Sequence, residues 1–392
     1  MSDRIRAEYL IETATDPRAA AESMAGEQSS GTFVPVPGET EELKARAAAR
    51  VESLELLDEV ERPALPGAKE GPTRHRARVT LSWPYDNLGP SLPNLLATVA
   101  GNLFELSAFS GLRLEDLHLP EAFAAAGPGP SFGVVGTRRL AGVEERPLIG
   151  TIVKPSVGLS PGQTAELAGS MAEAGLDFIK DDELQADGPA CPFDARVDAV
   201  MARLHRHADT HGRLPMFAFN LTGDIEQMLA RHDHVLAAGG TCVMVSIHSV
   251  GLAGFIALAR HSQLPIHAHR NGWGALSRHP ALGFSYVPWS KLWRLAGADH
   301  LHVNGLDNKF CESDDSVMAS ARSILSPLFE SRADIAMPVF SSGQTPAQVP
   351  ETYRRLGSAD LIHAAGGGIL GHPEGPATGV RAMRDAWAAA LS

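Results

Sequence analysis

The stretch GLDFIKDDELQ, residues 175–185, places one lysine and three acids directly after an apolar run. The run predicts a buried strand, and Lys180, Asp181, Asp182 and Glu183 stand at its C-terminal end. Charged side chains are costly to bury unless they are paired or bind a metal ion. Because residues two apart on a strand share a face, we expect Lys180 and Asp182 to point the same way. The stretch therefore predicts a polar site at the end of a strand.

The rest of the C-terminal region repeats this order of apolar run, polar tip and helical pattern. The predicted strands are 147–155, 177–183, 214–223, 241–249, 264–272, 299–305, 335–343 and 361–371. Strands that alternate with helices predict parallel pairing, and eight such units fit a (β/α)8 TIM barrel of typical size. An open doubly wound sheet could use the same units. The polar strand ends favour the barrel, whose enzymes build their sites on that face.

The N-terminal region has a different pattern. Strands are predicted at 4–12, 51–60 and 75–84, with a helix at 92–106. This mixture predicts a smaller N-terminal α+β domain of the ferredoxin-like type. We place that domain at residues 1–130 and the catalytic barrel domain at 140–392. The segment 122–133 is rich in Ala, Gly and Pro and is a plausible linker.

Composition narrows the class of protein. The chain of 392 residues carries a formal charge of −12, which argues against nucleic acid as a partner but permits a small anionic ligand. Three scattered cysteines favour neither a disulfide framework nor a thiolate zinc site. The N-terminus lacks the pattern of a signal peptide, and no apolar run is long enough to span a membrane. We therefore expect a soluble cytoplasmic protein without a membrane partner.

The acids of the opening stretch suit a magnesium ion. Asp182 and Glu183 offer hard oxygen ligands and leave positions for water and substrate. An ammonium group on Lys180 would repel the cation, but a carbamate formed from its amine and CO2 would be a third anionic ligand. The alternative is a buried ion-pair network between Lys180 and the acids, without a metal.

Five collinear segments then point to a family. They are GTIVKPSVGLSPGQ (150–163), GLDFIKDDE (175–183), HAHR (267–270), ADHLHVNGLDNKFCE (298–312) and AAGGGILGHPEG (364–375). Together they resemble the large subunit of ribulose-bisphosphate carboxylase (RuBisCO). GEQSSGTF (26–33) and AGNLF (100–104) resemble motifs of its N-terminal domain.

The resemblance implies a role for each matching residue. The catalytic residues are Lys154, Lys180, His269 and Lys309. The metal ligands for Mg2+ are Lys180 as its carbamate, Asp182 and Glu183. One phosphate is held by Arg270, His302 and Ser342, and another by Gly343, Gly366, Gly367 and Gly368. The N-terminal domain lends Glu27, Thr32 and Asn102 to the site of a partner subunit, which implies a homodimer with shared active sites. His267, in contrast, is better explained as a core histidine.

Departures from the carboxylase pattern bear on the reaction. Ser156 stands where a second lysine is usual, Ile152 replaces a threonine, and Trp273 replaces a histidine. The family's mobile loop is replaced by NGLDNKFCE (304–312). These losses argue against ribulose bisphosphate as the substrate, and the pattern resembles the RuBisCO-like proteins of form IV.

The resemblance implies a metal-dependent enzyme that forms an enolate from a phosphorylated keto-sugar or keto-sugar acid. Two reactions remain possible: enolisation or isomerisation, as in methionine salvage, and decarboxylation, as with branched-sugar acids. CO2 fixation is not expected. The alternatives are a true ribulose-bisphosphate carboxylase, a non-catalytic sugar-phosphate-binding barrel, and a barrel of unrelated chemistry with a structural acid cluster.

Overall fold

A computed structural model describes residues 3–30 and 36–392 of the chain. In chain order the strands are β1 (Arg4–Thr13), β2 (Arg50–Val60), β3 (Arg74–Pro84), β4 (Phe109–His118), β5 (Leu148–Ile152), β6 (Phe178–Lys180), β7 (Met216–Asn220), β8 (Cys242–Ser246), β9 (Ile266–His269), β10 (Leu282–Phe284), β11 (His300–His302), β12 (Met337–Phe340) and β13 (Ile362–Ala364). The helices are α1 (Pro17–Glu27), α2 (Glu41–Ala47), α3 (Leu92–Val99), α4 (Gly133–Ala141), α5 (Pro161–Glu173), α6 (Phe193–His211), α7 (Ile225–Ala237), α8 (Ile247–His261), α9 (Gly274–Ser277), α10 (Tyr286–Ala296), α11 (Asp314–Leu325), α12 (Val349–Leu356), α13 (Gly367–Leu370) and α14 (Pro376–Leu391).

The chain forms two compact units. One comprises residues 1–127, 272–295 and 328–333, and the other comprises 128–271, 296–327 and 334–392. The units are therefore not continuous in sequence. The segment 272–295 carries β10, which pairs with β4 and belongs to the first unit.

The first unit is built on a mixed five-stranded sheet in the order β10-β4-β1-β3-β2. Its central strand β1 pairs antiparallel with β3 and β4, and its Ile5, Ala7, Tyr9 and Ile11 alternate into the core. The Tyr9 hydroxyl donates to the carbonyl of Val99 at the end of α3 over 2.6 Å, which ties that helix to the sheet. Helices packed on one sheet agree with the predicted α+β class.

The second unit contains a closed parallel barrel in the order β11-β12-β13-β5-β6-β7-β8-β9. Each of the eight predicted ranges contains one of these strands, so the predicted TIM barrel is confirmed. Strands covered on both faces read as continuous apolar runs, which is why the pattern was visible in the sequence. The packed interior includes Leu148, Phe178, Met216, Ala218, Met244, Met337, Val339 and Ile362.

Helix starts in the barrel unit are set by local hydrogen bonds. Ser160 and Gln163 form a reciprocal capping box that begins α5, and Asp224 and Gln227 form another at α7. Each box fixes where a strand-to-helix loop ends, and these loops carry the polar strand tips. Among the described residues, no helix combines the length and apolar character needed to cross a bilayer.

Candidate active site

Lys180 is the last residue of β6, and its side chain is buried with 1% exposure. Its Nζ donates to the carbonyl of Asp181 over 2.8 Å and lies 3.5 Å from Glu183 Oε2 and 3.6 Å from Met244 Sδ. Burial lowers the pKa of Lys180, although the neighbouring acids oppose that shift. The lysine is thus an amine at the strand end with one short hydrogen bond and a distant ion pair.

The two adjacent aspartates have different roles. Asp181 is buried and points to Arg196 of α6, whose Nε lies 3.2 Å from its Oδ2. The same oxygen accepts a hydrogen bond from the backbone N–H of Asn220 over 3.0 Å. Burial raises the pKa of Asp181 even against its arginine partner. Asp181 is therefore a structural ion-pair residue, while Asp182 pairs with Lys154.

Asp182 pairs with Lys154, which follows β5. Lys154 Nζ lies 2.5 Å from Asp182 Oδ2 and also donates to Ser156 Oγ over 2.8 Å. Although burial alone would raise the pKa of Asp182, the hydrogen bonds from Lys154 and from the backbone of Leu184 hold it below its usual range. Ser156 thus occupies, as a hydrogen-bond acceptor, the position where the carboxylases carry a second cation.

Glu183 faces His269 at the end of β9. The two groups approach to 3.5 Å between Oε2 and Nε2. Burial, with a further contribution from Lys180, lowers the pKa of His269 to about 4, so its imidazole is neutral at pH 7. Although burial would raise the pKa of Glu183, the charge of Lys180 helps to hold it below its usual range. The pair consists of an ionised acid and a neutral base.

Asn220, at the end of β7, holds the backbone of the turn that carries the acids. Its Nδ2 donates to the carbonyl of Asp182 over 3.3 Å and to that of Glu183 over 3.2 Å. Its Oδ1 accepts from the backbone and the hydroxyl of Thr222. The sequence marked Asn220 only as a polar strand tip, and the structure shows that it positions both carboxylates.

Arg270, predicted to hold a phosphate, binds a carboxylate of the same chain. Its Nη2 is hydrogen-bonded to Glu312 Oε2, which also accepts from Asn304 Nδ2 over 2.7 Å. Ser342, with a φ of 71°, donates to Asn304 Oδ1 over 2.8 Å. Sequence reasoning missed Glu312, because a loop acid has no pattern that reveals a partner 42 positions away.

His302 belongs to a second hydrogen-bonded chain. Its Nε2 lies 2.7 Å from Nε2 of His267, and its Nδ1 lies 3.1 Å from Ser341 Oγ. Burial holds the pKa of both histidines well below the ordinary value, so both rings are neutral. Among the described residues His267 Nδ1 has no hydrogen-bond partner, which favours a proton on its Nε2. His302 then accepts from His267 and donates to Ser341.

The glycine turns approach backbone closely. A Cβ on Gly368 would lie 2.3 Å from the carbonyl oxygen of Gln344, so a side chain there forces the turn to move. Gly343 has a φ of 91°, which favours glycine. Gly366 and Gly367 begin the short helix α13 directly after β13. Their position next to β5 puts them two strands from β6 around the barrel.

The loop 304–312, which replaces the family's mobile segment, is held by hydrogen bonds between its own residues. Asn308 Nδ2 donates to the carbonyls of Gly305 and Glu312 over 3.0 and 3.1 Å. Lys309 is exposed, with its Nζ 5.2 Å from the centre of the Phe310 ring. The predicted catalytic lysine therefore lies on a self-bonded loop.

The residues predicted to serve a partner subunit lie in the first unit. Glu27 ends α1 and Asn102 follows α3, while Thr32 lies outside the described residues. A Cβ on Gly101 would lie 2.3 Å from Nε2 of Gln28. Glu27 and Asn102 thus stand at the same edge of that unit. Trp273 also belongs to this unit and makes an edge-to-face contact with Tyr286, with 5.1 Å between the ring centres.

The charges at β6 are compatible with a magnesium ion once Lys180 is carbamylated. Two ammonium groups, Lys154 and Lys180, face two carboxylates, Asp182 and Glu183, so the group sums to zero. Carbamylation changes Lys180 from +1 to −1, which offsets the two positive charges of Mg2+. The same residues would then supply three oxygen donors of the type that Mg2+ prefers.

A separate group of ligand-type side chains, His232, Asp233 and His261, lies on helices α7 and α8. His232 Nε2 accepts the backbone N–H of Gln263 over 3.1 Å, so its proton sits on Nδ1 and is donated to Asp233 over 3.0 Å. A metal at Nδ1 would require that proton to move to Nε2, against the Gln263 donor. We therefore interpret this group as a hydrogen-bonded cluster.

Comparisons with known proteins agree with this geometry. Residues 133–392 match the model of the ribulose bisphosphate carboxylase large chain, catalytic domain, and residues 3–123 match that of its N-terminal domain. The chain belongs to the RuBisCO large-chain family.

Within the family the chain is similar to RuBisCO-like proteins. It is 59% identical, over 100% of its length and 95% of the relative's, to a 3-oxo-isoapionate-4-phosphate transcarboxylase/hydrolase of Xanthobacter autotrophicus. It is 45% identical, over 98% and 92%, to a 3-oxo-isoapionate-4-phosphate decarboxylase of Rhizobium etli. The crystal structure of a RuBisCO-like protein from Burkholderia fungorum superposes with a TM-score of 0.93 at 46% identity, covering 99% and 94% of the two chains. The chain is thus a RuBisCO-like enzyme, and the predicted recognition and enzyme class are confirmed.

Proposed function

We propose that this enzyme cleaves the carboxyl group from a β-keto sugar acid that carries one phosphate, with 3-oxo-isoapionate 4-phosphate as the first candidate. The observation that carries the proposal is 59% identity along all 392 residues to an enzyme named for that substrate. Of the two reactions expected from the sequence, this similarity favours loss of the carboxyl group over isomerisation.

The name of the candidate substrate fixes its chemistry. A carboxylate at C1 and a ketone at C3 make it a β-keto acid, and its phosphate is on the carbon next to the ketone. When the C1–C2 bond breaks, C1 leaves as CO2 and the electron pair passes into an enolate of C2 and C3. The site must stabilise negative charge on the C3 oxygen. Mg2+ held by Asp182, Glu183 and carbamylated Lys180 would supply a Lewis acid for that oxygen.

The side chains of the barrel mouth carry the proton transfers in this proposal. Lys154, held 2.5 Å from Asp182 Oδ2, is the proton donor to C2 after CO2 has left. His269, neutral because its pKa is about 4, is the base that takes a proton from a substrate hydroxyl or from water. The phosphate lies at the turns of Gly343 and Gly366–Gly368. Lys309 contacts the substrate from its loop.

Two fates of the released carboxyl group can be separated with one label. The substrate is prepared with 13C at C1 and incubated in D2O with Mg2+ and bicarbonate, and products are followed by NMR. Label in bicarbonate with deuterium at C2 indicates decarboxylation, the activity named for the 45%-identical relative. Label retained in an organic acid indicates transcarboxylation followed by hydrolysis, which the higher identity favours.

A pair of lysine variants provides the control. Lys180→Met should abolish both outcomes, whereas Lys44→Met, half-exposed on α2 of the first unit, should leave them unchanged. Unchanged substrate with wild-type protein would refute the proposal.

The remaining expectations complete the proposal. We infer that the working form is a homodimer whose shared sites receive Glu27, Thr32 and Asn102 from the partner subunit, as the family resemblance implies. We also place the enzyme in the cytoplasm, where its free thiols Cys191 and Cys242 would stay reduced.

A further inference from the structure

The carboxylate of Glu312 binds the guanidinium group of Arg270, to which the family resemblance assigns a phosphate. Glu312 is bound by three groups of the barrel unit: Arg270 Nη2, Asn304 Nδ2 at 2.7 Å and Ser316 Oγ at 2.9 Å. Its side chain is 13% exposed and that of Arg270 is 6% exposed. Charge-assisted hydrogen bonds of this kind are among the strongest in proteins. The contact is therefore a built part of the barrel mouth.

The other two predicted ligands of this phosphate are engaged as well. Ser342 donates its hydroxyl proton to Asn304 Oδ1, and Asn304 is itself bound to Glu312. His302 is hydrogen-bonded through both ring nitrogens, to His267 and Ser341. One continuous network thus joins Ser342 to Arg270, and its anion is supplied by the protein.

A phosphate dianion at this position would lie against a carboxylate. It would have to displace Glu312 from three partners, or share Arg270 with it at like charge in a partly buried setting. Like charges a few ångströms apart in such a setting repel strongly. The protein therefore opposes a phosphate on the Arg270 side, whatever the rest of the ligand offers.

The turn of Gly366–Gly368, which follows β13, has different surroundings. Within residues 3–30 and 36–392, no hydrogen bond joins the backbone N–H groups of Gly367 and Gly368 to a carboxylate. This turn lies two strands from the acids of β6, with β5 and its Lys154 in between.

We infer that Glu312 is a specificity-determining residue that restricts this enzyme to substrates with one phosphate, bound at the glycine turns and not at Arg270. This inference rests on the proposed function and deepens it. A β-keto acid whose phosphate is next to its ketone carries both of its anionic groups, the carboxylate and the phosphate, close to the ketone that faces the metal ligands. The other end of the substrate lies near Arg270, whose charge is already paired with Glu312, and can carry hydroxyl groups.

The test compares two unreactive ligands, a pentitol 1-phosphate and the matching pentitol 1,5-bisphosphate, by calorimetry with Mg2+ and bicarbonate present. Wild-type protein should bind the monophosphate more tightly than the bisphosphate, because the second phosphate meets the Glu312 carboxylate. Glu312→Gln should bind the bisphosphate about 10- to 100-fold more tightly than the monophosphate, because a charge-assisted hydrogen bond becomes available to the second phosphate. Glu312→Asp retains the charge and should behave as wild type. Combining Glu312→Gln with Arg270→Gln should cancel the gain.

A second measurement applies if the neutral variant is unstable. Inorganic phosphate should raise the melting temperature of Glu312→Ala by more than that of wild type, because the anion can also replace the lost carboxylate in the variant.

A wild-type protein that binds the bisphosphate as tightly as the monophosphate, or more tightly, would overturn the inference and leave the proposed function standing. The same holds if neither Glu312→Gln nor Glu312→Ala gains affinity for a phosphate. Failure of every protein to bind either sugar phosphate would instead remove the proposed function, and the inference with it.

Discussion

Replacement of Lys180 by methionine separates a metal site from a structural ion-pair cluster. Methionine fills similar space in the buried pocket beside Met244 but carries no charge. The lost interactions are one hydrogen bond to the Asp181 carbonyl at 2.8 Å and an ion pair with Glu183 at 3.5 Å, whose side chain is 30% exposed. The first contributes about 1.5–3 kcal/mol and the second less than about 1 kcal/mol.

Against these losses stands the cost of burying an ammonium group, which is several kcal/mol. We therefore expect the free energy of unfolding of Lys180→Met to lie within about 1 kcal/mol of wild type or above it. Arg196→Met, in α6, is the matched control, because Arg196 pairs with Asp181 of the turn that follows Lys180. Arg196 and Asp181 are both fully buried, so its loss leaves a carboxylate unpaired and should cost about 3–5 kcal/mol.

The assay is urea unfolding in buffer free of divalent ions and CO2, and both variants are compared through the same barrel transition. Magnesium with bicarbonate should then stabilise wild type, by about 2.7 kcal/mol at a concentration one hundred times Kd, and should not stabilise Lys180→Met. A Lys180→Met protein as unstable as Arg196→Met would show that Lys180 serves the acids as a structural partner, and the metal proposal would fail.

Three further outcomes are expected. Gly368→Ala, whose Cβ would meet the Gln344 carbonyl at 2.3 Å, should displace the turn, lower stability by about 1–3 kcal/mol and raise KM for the phosphorylated substrate in steady-state kinetics. Acidification from pH 7 towards pH 4 should lower the urea midpoint steeply, because histidines with depressed folded pKa values bind protons only on unfolding, so their contribution is lost as pH falls below about 6.5. These buried histidines are His267, His269, His300, His302 and His363; replacing His300 with glutamine should reduce the slope. Trp273→Ala should cost about 3–5 kcal/mol without changing KM, because this ring packs against Tyr286 in the first unit.

The barrel could be predicted because its signals are local. Each parallel strand is buried on both faces, so its apolar run is visible without knowledge of its neighbours. The predicted ranges were longer than the strands: 177–183 became Phe178–Lys180 because the acids that follow Lys180 belong to the loop. Within that loop, Asp181 and Asp182 have different partners, Arg196 and Lys154.

The contacts that escaped prediction are long-range. Nothing in the sequence around β10 shows that it pairs with β4, some 170 positions earlier in the chain, or that residues 272–295 join the first unit. The pairing of Arg270 with Glu312 likewise depends on where a loop returns to the barrel mouth. Family resemblance transferred the role of a phosphate ligand to Arg270, but it could not show that a new loop supplies its own anion.

The proposed chemistry explains why this loop could change while the acids of β6 did not. A carboxylase must capture CO2 from solution, and a loop that closes over the substrate favours this step. A β-keto acid carries its carboxyl group already attached, and only the enolate that remains must be stabilised. That requirement falls on Lys180, Asp182 and Glu183, and the segment 304–312 need not close over the substrate to capture CO2. The bonds from Asn308 across the loop and from Glu312 to Arg270 hold the loop in one place while neutralising the arginine.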